Sequence, residues 1–311
     1  MTQDRKTHDC VLMEEQLFLN RHEVKKILVD LNVIPRRRLG QSFLVDQQAL
    51  RRIVNALDLN PKDIVFEIGP GLGALTGFLL NKVKKVLAIE LDEKLHHFLK
   101  ERFRNRDNLF LLNEDILKTN IEVFLKNLYA EIQSPAAVKV VGNLPYRISS
   151  QVLFKFLECP VHPERMVLAF QWEVAERLTA SPNSKDYGAL TLITQFYADV
   201  KRVFRIKKAS FYPEPEVDTG IVAFHFRSLD LGLRPGSAKA LFEIIKLGFA
   251  QRRKTFKNAL TNSGTFPYTE KDIEKALARC NLDLKIRAEN LTLSDFAKIL
   301  KALEEDRLET A

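Results

Sequence analysis

The chain has 311 residues, 46% of them hydrophobic, enough for one large domain with a real core and a smaller domain beside it. Its 48 Lys and Arg against 40 Asp and Glu give a net charge of +8 and a pI near 9.3, a balance that suits a polyanionic partner. Cys10, Cys159 and Cys280 lie far apart without CxxC spacing, which argues against a disulfide framework or a zinc site. No apolar run is long enough to span a membrane, and the N-terminal stretch lacks the apolar segment of a signal peptide. The expectation is a soluble, cytoplasmic protein with no metal site.

In chain order, residues 1–20 read as an extension of no assignable role, and His22–Leu31 as a short amphipathic helix. Pro35 to Asp46 passes from three arginines into a turn containing Gly40, and a helix follows through Leu57. The arginines fit either a solvated face or a phosphate contact. Asp63–Ile68 is a strand-like run that opens into Gly69-Pro70-Gly71-Leu72-Gly73 and then a helix to about Asn81. Strand, glycine loop and helix begin a nucleotide-binding βαβ unit, in which glycine lets the backbone approach a ligand closely.

A second strand, Lys85–Ile89, ends at Glu90, 21 residues after Gly69 and near the spacing at which an acid meets a ribose diol. A third, Leu109–Leu112, leads to Asn113-Glu114-Asp115, where Asp115 is placed to accept from an adenine amine. Each acid alone is more often a helix cap or a surface residue. The loop is not G-x-G-x-x-G, and Glu67 precedes it, which favours S-adenosylmethionine over NAD.

The fourth strand, Ala137–Gly142, ends in Asn143-Leu144-Pro145-Tyr146. An exocyclic base amine is a poor nucleophile because its lone pair is delocalised into the ring. An Asn side-chain oxygen and a backbone carbonyl, both aimed at the amine hydrogens, favour the tetrahedral nitrogen of the transition state. Pro145 stiffens the turn that presents the carbonyl, and Tyr146 offers a face on which an extruded base can stack. The bland reading is a turn after a strand. In an open parallel sheet, however, ligands bind at the carboxyl ends of the strands, and the first and fourth strands are commonly neighbours there.

Further on, Ser149–Leu157 reads as helix, Arg165–Phe170 as strand, Gln171–Thr179 and Leu190–Phe196 as helices, and Asp199–Arg205 and Gly220–Phe226 as strands. Between the last two lies Phe211 to Thr219, a stiff loop with Pro213 and Pro215. Phe211 is either a second wall for a stacked base or a core anchor. After a linker from Leu229 to Gly236 the chain is helical to its end. Leu241 to Leu260 carries an apolar stripe flanked by Lys246, Arg253 and Lys257, with Arg252 falling on the stripe itself. Either the helix breaks there or the arginine has a buried partner.

The assembled motifs resemble the ribosomal RNA adenine dimethyltransferases of the small subunit, from about Arg37 to Phe296: LGQSFLVD (39–46), FEIGPGLGALT (66–76), IELD (89–92), NEDIL (113–117), GNLPYRISS (142–150), FYPEPEVDT (211–219) and FAQRRKTFKNAL (249–260). The resemblance implies an α/β fold: a doubly wound, mostly parallel Rossmann-like methyltransferase sheet over 21–228 with a small all-helical C-terminal domain over 229–311. It implies S-adenosylmethionine contacts from Ser42, Leu44, Gly69, Gly71, Glu90, Asp115 and Asn143. Asn143 and the carbonyls beside Pro145 hold the target amine, and Tyr146 and Phe211 stack its ring. Arg252, Arg253, Lys254 and Lys257 dock RNA, and the partner is small-subunit rRNA within a pre-ribosomal particle, met by a monomer. Ser42, Trp172 and Phe256 depart from the residues usual in the family. Two rivals share the fold: a large-subunit rRNA adenine methyltransferase of the macrolide-resistance type, and a ribosome-assembly or transcription factor that no longer methylates.

Overall fold

The computed structural model describes residues 18–35, 41–132 and 136–309. The arginines at 36–38, the first residues of the LGQSFLVD motif and the extension up to residue 17 lie outside them. The strands are β1 (Phe43–Leu44), β2 (Ile64–Ile68), β3 (Lys85–Glu90), β4 (Leu109–Asn113), β5 (Val138–Gly142), β6 (Arg165–Gln171), β7 (Ala198–Ile206), β8 (Phe211–Tyr212) and β9 (Thr219–Phe226). Seven of them form one sheet in the order β4-β3-β2-β5-β6-β9-β7. β4, β3, β2, β5 and β6 pair in parallel, and β9 returns antiparallel to β6.

Period-2 alternation explains why helices cover both faces. Val65, Val86, Val141 and Val167 pack on one face against Leu50, Ile53, Leu75 and Leu99 of the helices Gln47–Ala56, Ala74–Leu79 and Glu93–Arg102. Phe66, one residue along from Val65, points the other way. Its ring centroid is 4.5 Å from that of Phe124 and 6.4 Å from that of Phe156, on the helices Ile121–Ala130 and Tyr146–Leu157. Every residue of β2 and of β5 is buried, the pattern of strands covered on both sides.

β2 and β5 are also pinned at their amino ends by a buried ion pair, Lys139 Nζ to Asp63 Oδ2 at 2.9 Å. Asp63 accepts further from the Asn60 and Ala137 amides, and Lys139 donates to the Asp58 carbonyl. The charges are thus satisfied by hydrogen bonds as well as by each other, which burial requires.

The described residues pack as two compact units, one of those up to 175 together with 201–226, the other of 176–200 together with those from 227 on. The sequence reading, with its boundary at 228, assigned 176–200 to the first. Tyr187 and Leu192 from that segment instead lie in the core of the second unit, with Leu241, Ile245, Phe256 and Phe296. The Tyr187 hydroxyl donates to the Leu291 carbonyl at 2.8 Å. A linker looked like the boundary because composition marks loops; the apolar helix Ala189–Tyr197 carries no mark of which core it joins.

The stretch 241–260 is not one helix. It runs as Ala238–Ala250, breaks at Gln251 with φ −129° and ψ 68°, and resumes as Phe256–Thr261 with Thr255 as N-cap. Arg252 leaves the apolar stripe at this break. No helix among the described residues is long and apolar enough to cross a membrane.

Candidate functional site

The carboxyl ends of β4, β3, β2 and β5 lie side by side, and Ile68 pairs with Gly142. The glycine loop after β2 and the Asn143 turn after β5 therefore face one crevice. They touch through Leu144: a Cβ on Gly69 would sit 3.4 Å from its Cδ2, and one on Gly142 only 3.1 Å from its Cγ. Gly69, Gly71 and Gly73 have φ of +66°, +59° and +79°, so the loop needs a left-handed backbone three times in five residues.

One cavity is lined by Ser42, Leu44, Glu67, Gly69, Gly71, Glu90, Asn143 and Pro145, roofed by Leu19 and Val24 from the N-terminal segment. A second, of about 500 Å³, continues past Gly69 and Glu90 to Asp92, Asp115, Pro145 and Ile148. The two share Gln41, Gly69, Glu90 and Pro145, and the larger falls in the size range of ligand pockets.

Glu90 accepts from the Gly71 amide at 3.0 Å with Oε2 and from the Asp92 amide at 2.9 Å with Oε1. It holds the glycine loop against β3, and each oxygen keeps a second lone pair for a ligand hydroxyl. Burial raises its pKa above the usual carboxylate value, against the pull of those amides. Asp115 uses Oδ1 to accept from the Leu117 amide at 2.9 Å. It is both a local cap and a residue of the second cavity.

Glu67 is only 2% exposed and lines the first cavity, with the Thr76 hydroxyl donating to Oε2 at 2.7 Å. Burial, opposed by that hydrogen bond and reinforced by the charge of Glu90, lifts its pKa from 4.5 to about 7. The sequence reading used it only to tell one cofactor from another; its burial beneath the loop follows from its place inside β2.

The turn itself divides its polar groups. The Pro145 carbonyl accepts from the Ile148 amide at 3.0 Å, as the start of the helix Tyr146–Leu157. The Leu144 carbonyl and the Asn143 side chain have no hydrogen-bond partner among the described residues. Of the carbonyls beside Pro145, Leu144's is therefore the one with both lone pairs open to a ligand amine. The Tyr146 hydroxyl lies 2.6 Å from Thr219 Oγ1, and burial pushes its pKa up.

Phe211 is a core anchor in this structure. It is 2% exposed, packs in the core cluster with Leu44 and Leu50, and lines neither cavity. β1 pairs with β8, Leu44 opposite Phe211 and Phe43 opposite Tyr212, so two motifs far apart in the chain form one clip. The Val45 amide donates to the Ser210 carbonyl, Ser210 Oγ to Asp46 Oδ2, and Arg21 Nη2 to the Phe211 carbonyl. Two-residue strands have no periodicity, which is why sequence reading missed the clip. The helix Arg21–Asp30 was visible by its pattern, but its place against Leu72 and Leu95 was not.

The cationic segment of the second unit is only partly available. Arg252 donates to the carbonyls of Lys185 and Tyr187 and pairs with Glu289 at 3.6 Å. Lys257 sits between Glu270 and Glu274, both at 2.7 Å. Arg253 and Lys254 are exposed and make no ion pair among the described residues. No group of three or more His, Cys, Asp or Glu placed to hold a metal ion occurs among the described residues.

An adenosyl donor fits this crevice on the donor set alone. Two glycines with positive φ leave the backbone open, and the carboxylates of Glu90 and Asp115 each have an oxygen lone pair to spare. Residues 34–305 match the ribosomal RNA adenine dimethylase family. The chain is 38% identical over 269 residues to ribosomal RNA small subunit methyltransferase A of Bacillus cytotoxicus, covering 86% of this chain and 91% of that one. The enzyme of the same name from Levilactobacillus brevis is 38% identical over 285 residues, covering 91% and 95%. Among solved structures, a dimethyladenosine transferase from Plasmodium falciparum superposes with a TM-score of 0.67 at 26% identity, over 85% of this chain and 98% of that one. A 23S rRNA methyltransferase, ErmE, reaches 0.65 at 24% identity over 84% and 99%, a likeness of fold. A seven-stranded methyltransferase sheet, an intact glycine loop and Asn-Leu-Pro-Tyr turn, and matches of this length place the chain in the ribosomal RNA adenine dimethylase family.

Proposed function

We propose that the protein transfers methyl groups from S-adenosylmethionine to N6 of two adjacent adenines near the 3′ end of small-subunit rRNA, giving N6,N6-dimethyladenosine. The observation that carries this reading is the pairing, in one crevice, of the glycine loop with two uncommitted acceptors, Asn143 Oδ1 and the Leu144 carbonyl. Both accept hydrogens from an exocyclic amine, which draws the nitrogen lone pair out of conjugation. When bound, the donor supplies an electrophilic methyl group. The glycine loop, Glu90 and Asp115 would hold that donor, whose methyl would pass to the N6 lone pair as the S–C bond breaks, with the proton of the acidified amine leaving to water. No side-chain base is needed; the turn contributes position and dipoles.

Glu90 is assigned the ribose hydroxyls and Asp115 the adenine amine of the donor. Tyr146 is the stacking face for the flipped base, its ring held by Thr219. The relatives at 38% identity bear a small-subunit name, whereas the likeness to the 23S enzyme rests on fold. The small-subunit substrate is therefore preferred, reached by a monomer acting in the cytoplasm on a pre-ribosomal particle.

The test is labelled methyl transfer to under-methylated small ribosomal subunits, with mass spectrometry of the product nucleoside. N6,N6-dimethyladenosine is expected. Label appearing only in large-subunit rRNA, or RNA binding without transfer, overturns the reading.

A further inference from the structure

β7 is an edge strand of the large sheet, and Lys201 to Lys208 carries five cations in eight residues: Lys201, Arg202, Arg205, Lys207 and Lys208. All are exposed. Two of them are ordered by one aromatic ring. The guanidinium carbons of Arg202 and Arg205 lie 4.7 Å and 4.5 Å from the centroid of Trp172, within cation–π range.

Trp172 is itself fixed. Its amide donates to the Asp218 carbonyl at 2.9 Å, and its ring edge would meet a Cβ on Gly220 at 3.5 Å. Arg205 Nε is committed to Asp218 Oδ2 at 2.6 Å, leaving its terminal nitrogens without an acceptor among the described residues. The Lys208 amide first, and Arg205 next, hold the Asp218 carboxyl below the usual carboxylate range, so this anchor stays charged.

The platform adjoins the candidate site. Gln171 pairs with Thr219, whose hydroxyl meets that of Tyr146, and Trp172 is the next residue along. Cations on an edge strand also deter pairing with another chain. That purpose needs no ordered guanidinium, whereas two guanidiniums each held within cation–π range of one indole are preorganised donors for phosphate oxygens.

We infer that Trp172, Arg202 and Arg205 form a phosphate-docking platform that holds the RNA backbone flanking the target adenine, with Trp172 as the positioning residue. The inference rests on the proposed rRNA substrate and adds where the strand lies. The two arginines neutralise phosphates, and binding through them carries a salt dependence proportional to the number of phosphates engaged.

The experiment measures binding of the full-length protein to under-methylated small subunits and to protein-free small-subunit rRNA across a salt series. R202Q/R205Q is expected to weaken binding about tenfold and to lower the slope of log K against log salt by about 1.4, the value for two phosphates of a single strand. KM for the subunits is expected to rise by a similar factor with kcat changed less than about threefold. K62Q/K100Q removes two exposed lysines elsewhere in the same unit and controls for net charge. W172A changes no charge and is expected to weaken binding at least about threefold, with W172F restoring most of it.

An R202Q/R205Q affinity and slope equal to wild type, or a loss no greater than that of K62Q/K100Q, overturns the platform. Equal binding by W172A and wild type overturns the positioning role. If wild type itself neither binds nor methylates small subunits, the functional reading fails instead, and the outcomes are thereby separate.

Discussion

The hydroxyl of Tyr146, first residue of the helix after the Asn-Leu-Pro turn, lies 2.6 Å from that of Thr219, first residue of β9. The bond ties the proposed stacking ring to a strand on the far side of β6. Tyr146→Phe keeps the ring and loses one hydrogen bond, worth about 1 kcal/mol. A fall of no more than about tenfold in kcat/KM is expected. Tyr146→Ala also removes the face on which the base stacks, worth about 1–3 kcal/mol more, so a fall of about a hundredfold is expected. Steady-state methyl transfer to small subunits checks both.

Asn143 and Glu90 line the same cavity but fail differently. Asn143→Ala removes an acceptor that acts on the target amine, so turnover is expected to drop by about 10²–10³ while RNA affinity persists. Glu90→Ala removes the ribose partner and also releases the Gly71 and Asp92 amides. Cofactor affinity is expected to fall by at least about 2 kcal/mol, with RNA binding intact. Calorimetry with S-adenosylmethionine and filter binding with RNA separate the two, and identical profiles would remove the assignment of roles.

Glu67 predicts a pH dependence of the ligand-free fold. Its native pKa of about 7 lies above the ordinary 4.5, so between those values the native chain holds a proton that the unfolded chain has released. Stability on this account is fullest below the unfolded value and is lost as pH rises through about 7, by roughly 3 kcal/mol in all. Glu67→Gln is neutral at every pH and keeps an acceptor for Thr76. Urea denaturation of this variant is expected to show a flatter profile and higher stability than wild type at about pH 8. A residual slope of the same sign remains from Glu90, whose pKa burial also raises.

The buried pair Lys139 and Asp63 is expected to matter for folding and not for chemistry, because it lies at the amino ends of strands whose carboxyl ends form the site. Lys139→Met leaves Asp63 charged and buried without its cation, at a cost of about 3–5 kcal/mol. Thermal melting measures the loss. Cofactor affinity of the remaining folded protein is expected to match wild type.

Much of the architecture could be read from the chain because it is written in local patterns. Asp63–Ile68, Lys85–Ile89 and Leu109–Leu112 are short apolar runs punctuated by glycine or acid, and the structure moves their limits by a residue at most. Adjacency of the first and fourth strands followed from the topology of doubly wound sheets, and Ile68 opposite Gly142 bears it out. The dilemma at Arg252 resolved both ways, with a helix break and partners in the Lys185 and Tyr187 carbonyls.

Sequence by itself determined which strand ends carry glycine, acid or the Asn-Leu-Pro-Tyr turn, since backbone freedom, charge and ring stiffness belong to residues wherever they sit. Tertiary structure alone decided that Phe211 is buried opposite Leu44, that Leu144 rather than Pro145 keeps both carbonyl lone pairs open, and that Glu270 and Glu274 neutralise Lys257. The physical reason is that burial and hydrogen-bond satisfaction are properties of pairs of groups distant in the chain, and no single stretch of residues records its partner.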